Sequence, residues 1–147
     1  MTADALSNAM NSRIDVALFL WNPDVIELLS LVLLQRNLVS RGVEPSEGRQ
    51  KIQRLIASWH PKVVVFDLDP PYDRSSAIAR HLLDPFPDCS LIITCADSAL
   101  ALKKASWLSG QRLFEKPYEM DDLANTVGSI IRRAPREFAT ASMGGLR

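Results

Sequence analysis

The sequence predicts an α/β fold of (βα)5 type, a doubly wound parallel sheet with helices on both faces. Short apolar runs recur along the chain at Val16–Leu20, Val63–Phe66, Leu91–Ile93 and Leu113–Phe114. The first three are continuous rather than alternating, as strands covered on both faces are. Helix-period segments lie between them, and that alternation dictates parallel strands joined by right-handed crossovers.

Each element has a local reason. Asp24 to Arg36 follows Pro23, which suits a helix start with an acid in the first turn. Leu38 to Val43 reads as a weak strand. Ser46 can cap a second helix in which Ile52, Leu55, Ile56 and Trp59 share one face. His60-Pro61 ends it, because a residue before proline avoids the helical region. Ser75–Leu83, Ser98–Leu108 and Met120–Arg133 supply three more helices. The first helix is apolar almost all round from Val25 to Leu34, more than one buried stripe requires, so the excess is either core or a contact surface.

The 147 residues suit a single domain over 13–133, with a flexible N-terminal segment 1–12 and a flexible tail or linker stub 134–147 that carries Pro135 and Gly144-Gly145. Lys+Arg and Asp+Glu both number 17, so no net field favours nucleic acid or an anionic membrane. The first dozen residues lack the basic and apolar regions of a signal peptide. The longest apolar stretch, Leu28 to Leu34, is far short of a membrane span. Cys89 and Cys95 lack CxxC spacing and read as buried or partly buried reduced thiols, which fits a cytoplasmic protein.

Ligands of such folds bind beyond the carboxyl ends of the strands. The residues found there are Trp21-Asn22 after the first strand, Asp67 after the third, Thr94 after the fourth and Lys116 after the fifth. An acid, a hydroxyl and an amine in one crevice make a site for a phosphoryl group, with the acid as nucleophile and the other two steadying its oxygens.

Over roughly residues 13 to 133 the sequence resembles the receiver domains of two-component response regulators. Val63 to Pro71 (VVVFDLDPP) resembles the third strand and phospho-acceptor loop, with Asp67 as acceptor. Leu91 to Ala96 (LIITCA) is similar to the fourth strand, which ends in a hydroxyl residue, here Thr94. Phe114 to Pro117 (FEKP) resembles the fifth strand and its Lys-Pro pair, a bond often cis in that family. Asn22-Pro23-Asp24 resembles the stretch after the first strand. The resemblance implies the flavodoxin-like strand order 2-1-3-4-5 and phosphorelay signalling through a sensor histidine kinase or another signalling protein. It implies a homodimer or partner face on the fourth helix, fifth strand and fifth helix, where Trp107 either covers the sheet or joins that face. With no room for an output domain, the chain is expected to act alone, by protein contact and not as an enzyme.

The departures point to a degenerate site. The family's first strand ends in two adjacent acids that hold Mg²⁺ with the acceptor, and alignment through Pro23 puts Leu20 and Trp21 there. Neither is an oxygen ligand. Asn22 can offer an amide oxygen and Asp69 a second carboxylate beside Asp67, yet the balance is against Mg²⁺. Lys116 is then the neutraliser expected for Asp67, and Trp21 the expected cap of the pocket. The aromatic residue three positions before the lysine is Leu113, so the family's ring-swinging switch has no ring. His60 and His81 read as surface or capping histidines.

A rival reading is enzymatic. VVVFDLD also resembles the first motif of haloacid-dehalogenase-type phosphohydrolases, with Asp67 as nucleophile, Asp69 as acid/base and Asp121-Asp122 toward Mg²⁺. Against it stand the sixty residues before the motif, Pro70-Pro71 after it, and the helical setting of Asp121-Asp122, where acids complement the dipole.

Overall fold

The computed structural model describes residues 13–46 and 48–144, with side chains to residue 133. Five strands, β1 (Val16–Phe19), β2 (Ser40–Val43), β3 (Val63–Asp67), β4 (Ser90–Cys95) and β5 (Arg112–Glu115), form one sheet in the order β2-β1-β3-β4-β5. Every neighbouring pair is parallel. The helices are α1 (Pro23–Gln35), α2 (Gly48–Trp59), α3 (Tyr72–Arg80), α4 (Ser98–Lys104) and α5 (Met120–Gly144), with a 3-10 turn at Ser106–Gly110. The (βα)5 architecture is as the sequence pattern predicts, and the 2-1-3-4-5 order is as the family resemblance implies.

The continuous apolar runs are buried on both sides of the sheet. β1 and β3 are buried at every position. Successive side chains alternate between two cores. Phe19, Val64, Phe66 and Ile93 pack with Ile56 and Trp59 of α2 and with Leu82 on one side. Val16, Leu18, Val65 and Ile92 pack with Leu29, Leu33, Leu123 and Val127 of α1 and α5 on the other. Phe19 and Trp59 stack with ring centroids 6.0 Å apart. On the second side Arg36 ties the two helices together, donating to Asp121 Oδ1 at 2.9 Å and Asn125 Oδ1 at 3.1 Å. α1 lies so close to the edge strand that a Cβ on Gly42 would stand 2.5 Å from Ile26 Cγ2, so β2 needs glycine there.

Several helix ends differ from the sequence reading. α1 starts at Pro23 with Asp24 in its first turn, as expected, and Asn22 caps it, Oδ1 accepting from the Asp24 amide at 2.9 Å. The junction where Ser46 was expected to cap α2 includes residue 47, outside the described residues. α2 ends where His60 turns left-handed (φ 52°), with its amide still bonded to Ile56 O at 2.9 Å. α3 starts at Tyr72 rather than Ser75, because Pro71 sets an extended residue before it and no earlier stop signal exists. The single helix expected over Ser98–Leu108 is broken at Ala105 (φ −145°, ψ 89°), and the chain resumes as the 3-10 turn. That break seats Ala105, Leu108 and Trp107 against the core, so Trp107 covers the sheet. α5 runs on past Arg133 to Gly144, although Pro135 removes one backbone donor within it. Residues 1–12 lie outside the described residues.

The excess apolarity of α1 is on its outer side. Leu29 and Leu33 are buried, whereas Leu28, Leu31 and Leu34 are each more than half exposed. No helix among the described residues is long and apolar enough to cross a membrane.

Both cysteines are free thiols, Cys89 half-buried and Cys95 buried. Burial pushes the Cys89 thiol up to about 12, and burial with the nearby Glu115 carboxylate raises Cys95 as well. Thiolate is the reactive form. In a dithiobis-nitrobenzoate assay at pH 8 the native chain is expected to release almost no colour within minutes, and two equivalents once denatured. Rapid reaction of the native chain would contradict this burial.

Candidate functional site

β3 ends on Asp67, and the parallel register sets Thr94 of β4 directly beside it. Asp67 is 3% exposed and Thr94 fully buried. Thr94 Oγ1 donates to Asp67 Oδ1 at 3.0 Å. Lys116, the first residue past β5, sits astride the carboxylate, with Nζ 2.7 Å from Oδ1 and 2.8 Å from Oδ2. The backbone fixes both loops: the Leu68 amide donates to Thr94 O and the Lys116 amide to Cys95 O, each at 2.8 Å. The Lys116-Pro117 bond is cis. A carboxylate this enclosed is costly unless a cation and a hydrogen-bond donor meet it, and here both do. The structure therefore brings Asp67, Thr94 and Lys116 into one cluster.

A cavity of about 260 Å³ opens beside that cluster. Its apolar walls are Leu20, Val25, Pro117 and Met120, and its polar groups come from Asn22, Asp67, Lys116 and Tyr118. Leu20 is 2% exposed and lines the cavity, while Trp21 is 36% exposed and does not. The cap expected from Trp21 is thus supplied by Leu20, since adjacent residues of extended chain face opposite ways. Tyr118 meets Phe114 edge-on at 6.1 Å, and burial with the Asp67 carboxylate raises the pKa of its hydroxyl.

The residues present do not fit Mg²⁺. That ion takes oxygen ligands in near-octahedral geometry and keeps several waters. Asp67 is the one acid lining the cavity, and both its oxygens are engaged by Thr94 and Lys116. Asn22 Oδ1 already caps α1. Asp69 is exposed and outside the lining. Among the described residues no cluster of three acidic, histidine or cysteine groups stands close enough to hold a metal.

A second set of contacts, at the neighbouring loop, was not anticipated. The buried Tyr72 hydroxyl accepts from the Asp97 amide at 3.0 Å. Glu115 Oε1 accepts from both the amide and the hydroxyl of Ser98 at 2.8 Å, and these bonds hold its carboxyl below the usual range. Asp97 Oδ1 caps α4 through the Leu100 amide at 3.0 Å. The loop between β4 and α4 is thereby tied to α3 on one side and β5 on the other. The available signal was weak: Glu115 is adjacent to Lys116, and nothing in its type says that it reaches Ser98.

No protein-family model matches the chain, and no curated protein matches it. Solved structures do. The signal receiver domain described as that of a Luxo repressor protein from Vibrio parahaemolyticus superposes with a TM-score of 0.67 at 21% identity, over 87% of this chain and 97% of that one. The receiver domain of nitrogen regulatory protein C gives 0.65 at 20% identity, over 84% and 97%. A transiently phosphorylated switch of bacterial signal transduction gives 0.66 at 20%, over 84% and 98%. This chain has the receiver fold. The receiver-domain expectation drawn from FDLDPP, LIITCA and FEKP therefore holds for the architecture.

Within the receiver fold, other candidates lie apart from the cavity. Asp121 pairs with Arg36 and Asp69 is exposed, so the geometry gives the phosphohydrolase arrangement no support. His81 is exposed and contacts Asp84 at 2.9 Å. Leu113 packs half-buried against the Phe19–Phe66 core, where the resemblance implies an aromatic ring.

Proposed function

We propose that this domain is a degenerate receiver that signals by protein contact, with Asp67 held in a fixed ion pair rather than used as a Mg²⁺-dependent phospho-acceptor. Leu20 carries the reading. It fills with hydrocarbon the position where the resemblance implies an acid, beside a carboxylate that is already neutralised by Lys116. A transferable phosphoryl group needs its developing charge met by preorganised cations. Here Lys116 and Thr94 supply one charge and one hydroxyl, with no second cation among the lining residues.

The partners that suit this role are a sensor histidine kinase or another signalling protein. The three exposed leucines of α1 give such a contact apolar area. The tied loop between β4 and α4 favours one conformation of the neighbouring surface, so output would depend on who binds rather than on a chemical change at Asp67.

Paramagnetic Mn²⁺ is the test of metal binding. Titrated to 1 mM with the amide spectrum followed, it is expected to leave the signals of residues 20–22 and 67–69 as sharp as those of the far end of the sheet. Selective broadening at those residues at micromolar Mn²⁺ would overturn the reading.

A further inference from the structure

The cavity beside Asp67 offers more hydrogen-bonding capacity than the ion pair consumes. Lys116 carries three N–H donors. Two can meet the carboxylate oxygens of Asp67, and the lysine side chain is 42% exposed, which leaves a donor directed away from the pair. Tyr118 lines the same cavity, near enough to Asp67 for that carboxylate to act on its hydroxyl, and the hydroxyl has no hydrogen-bond partner among the described residues. The rest of the lining is Leu20, Asn22, Val25, Pro117 and Met120, apolar but for Asn22. A mostly apolar concavity with a few convergent polar groups is the usual form of a small-molecule site.

From this juxtaposition we infer that the cavity binds a small apolar molecule through a neutral carbonyl oxygen, which accepts from Lys116 Nζ and Tyr118 Oη. The inference rests on the metal-free reading of the site. Charge selects the class of ligand. Lys116 is already neutralised by Asp67, so an anionic head would bring a second negative charge that no cation of the lining answers. A cationic head would find that carboxylate engaged by two donors. A neutral acceptor meets neither penalty, and without one the two donors lose their water for nothing. The volume of about 260 Å³ lies just below common ligand pockets and accommodates a body of one aromatic ring with a short substituent.

Three probes of one size separate the possibilities: acetophenone, ethylbenzene and benzoate, each titrated against the full chain while the methyl signals of Leu20, Val25 and Met120 are followed. Acetophenone is expected to shift them saturably. Ethylbenzene should bind about fiftyfold more weakly, the worth of one neutral and one charge-assisted hydrogen bond, and benzoate should also bind more weakly than acetophenone. Tyr118→Phe should cost acetophenone about fivefold and leave ethylbenzene unchanged. Met120→Trp, which fills the cavity from a half-buried position, should abolish both. The proposal is overturned if acetophenone gives no saturable shift, if ethylbenzene binds as well, or if benzoate binds best. The Mn²⁺ titration reads the premise separately. Broadening at residues 20–22 and 67–69 overturns both readings, while sharp signals with no acetophenone shift overturn the ligand alone.

Discussion

Replacing Lys116 by methionine is expected to lower stability by roughly 2–3 kcal/mol in urea unfolding. Methionine keeps most of the lysine stem, so little packing is lost. What is lost is the cation astride Asp67, and the carboxylate, 3% exposed, is left with Thr94 as its remaining side-chain donor. Breaking a fully buried pair typically costs 3–5 kcal/mol. The lower figure applies because the Lys116 side chain is 42% exposed and water can enter where the ammonium stood. Adding Asp67→Asn should recover most of the loss, since no buried charge then remains. If Lys116→Met alone is neutral, the pair does not hold the site in the manner described.

The second large effect is the reverse experiment. Writing acids back as Leu20→Asp with Trp21→Asp should make the domain dependent on Mg²⁺. In chelator the double variant is expected to lose about 3–4 kcal/mol, from the buried leucine side chain and from the new carboxylate at position 20 crowding Asp67. Mg²⁺ should return stability with the logarithm of its concentration, about 2.7 kcal/mol at a hundred times its dissociation constant. The wild-type melting temperature should not change between chelator and 10 mM Mg²⁺. A wild-type chain stabilised by Mg²⁺, or a variant indifferent to it, would show that Leu20 and Trp21 are not what separates this site from a metal site.

The sheet was legible in the sequence because burial on both faces leaves a direct trace: Val63 to Phe66 cannot be a surface strand. The cluster was legible for a related reason. In a parallel sheet the functional residues collect just past the strand ends, so locating Asp67, Thr94 and Lys116 required only the strand boundaries. Which way a residue faces after a strand was less legible. Leu20 and Trp21 are both large and apolar, and the single-residue alternation that puts Leu20 into the cavity and Trp21 outside depends on where β1 ends. The break at Ala105 was hidden because Ser98 to Leu108 keeps a helical pattern while the demand for a 3-10 turn comes from the core beneath. Tyr72 and Glu115 were hidden for a different reason: their partners are backbone amides of the loop between β4 and α4, and an amide has no sequence signature. The continuation of α5 beyond Arg133 runs against Pro135, whose local signal predicted an end.

The central claim, that Asp67 is a fixed structural anion and not a metal-dependent phospho-acceptor, is tested most directly by intact mass. The chain and its Asp67→Asn variant are incubated with acetyl phosphate, with and without Mg²⁺, and weighed within minutes. The account predicts the unmodified mass in all four samples. A stoichiometric gain of one phosphoryl group that requires both Mg²⁺ and Asp67 would contradict it, and would mean that Asn22 or Asp69 moves to complete a site this structure does not contain.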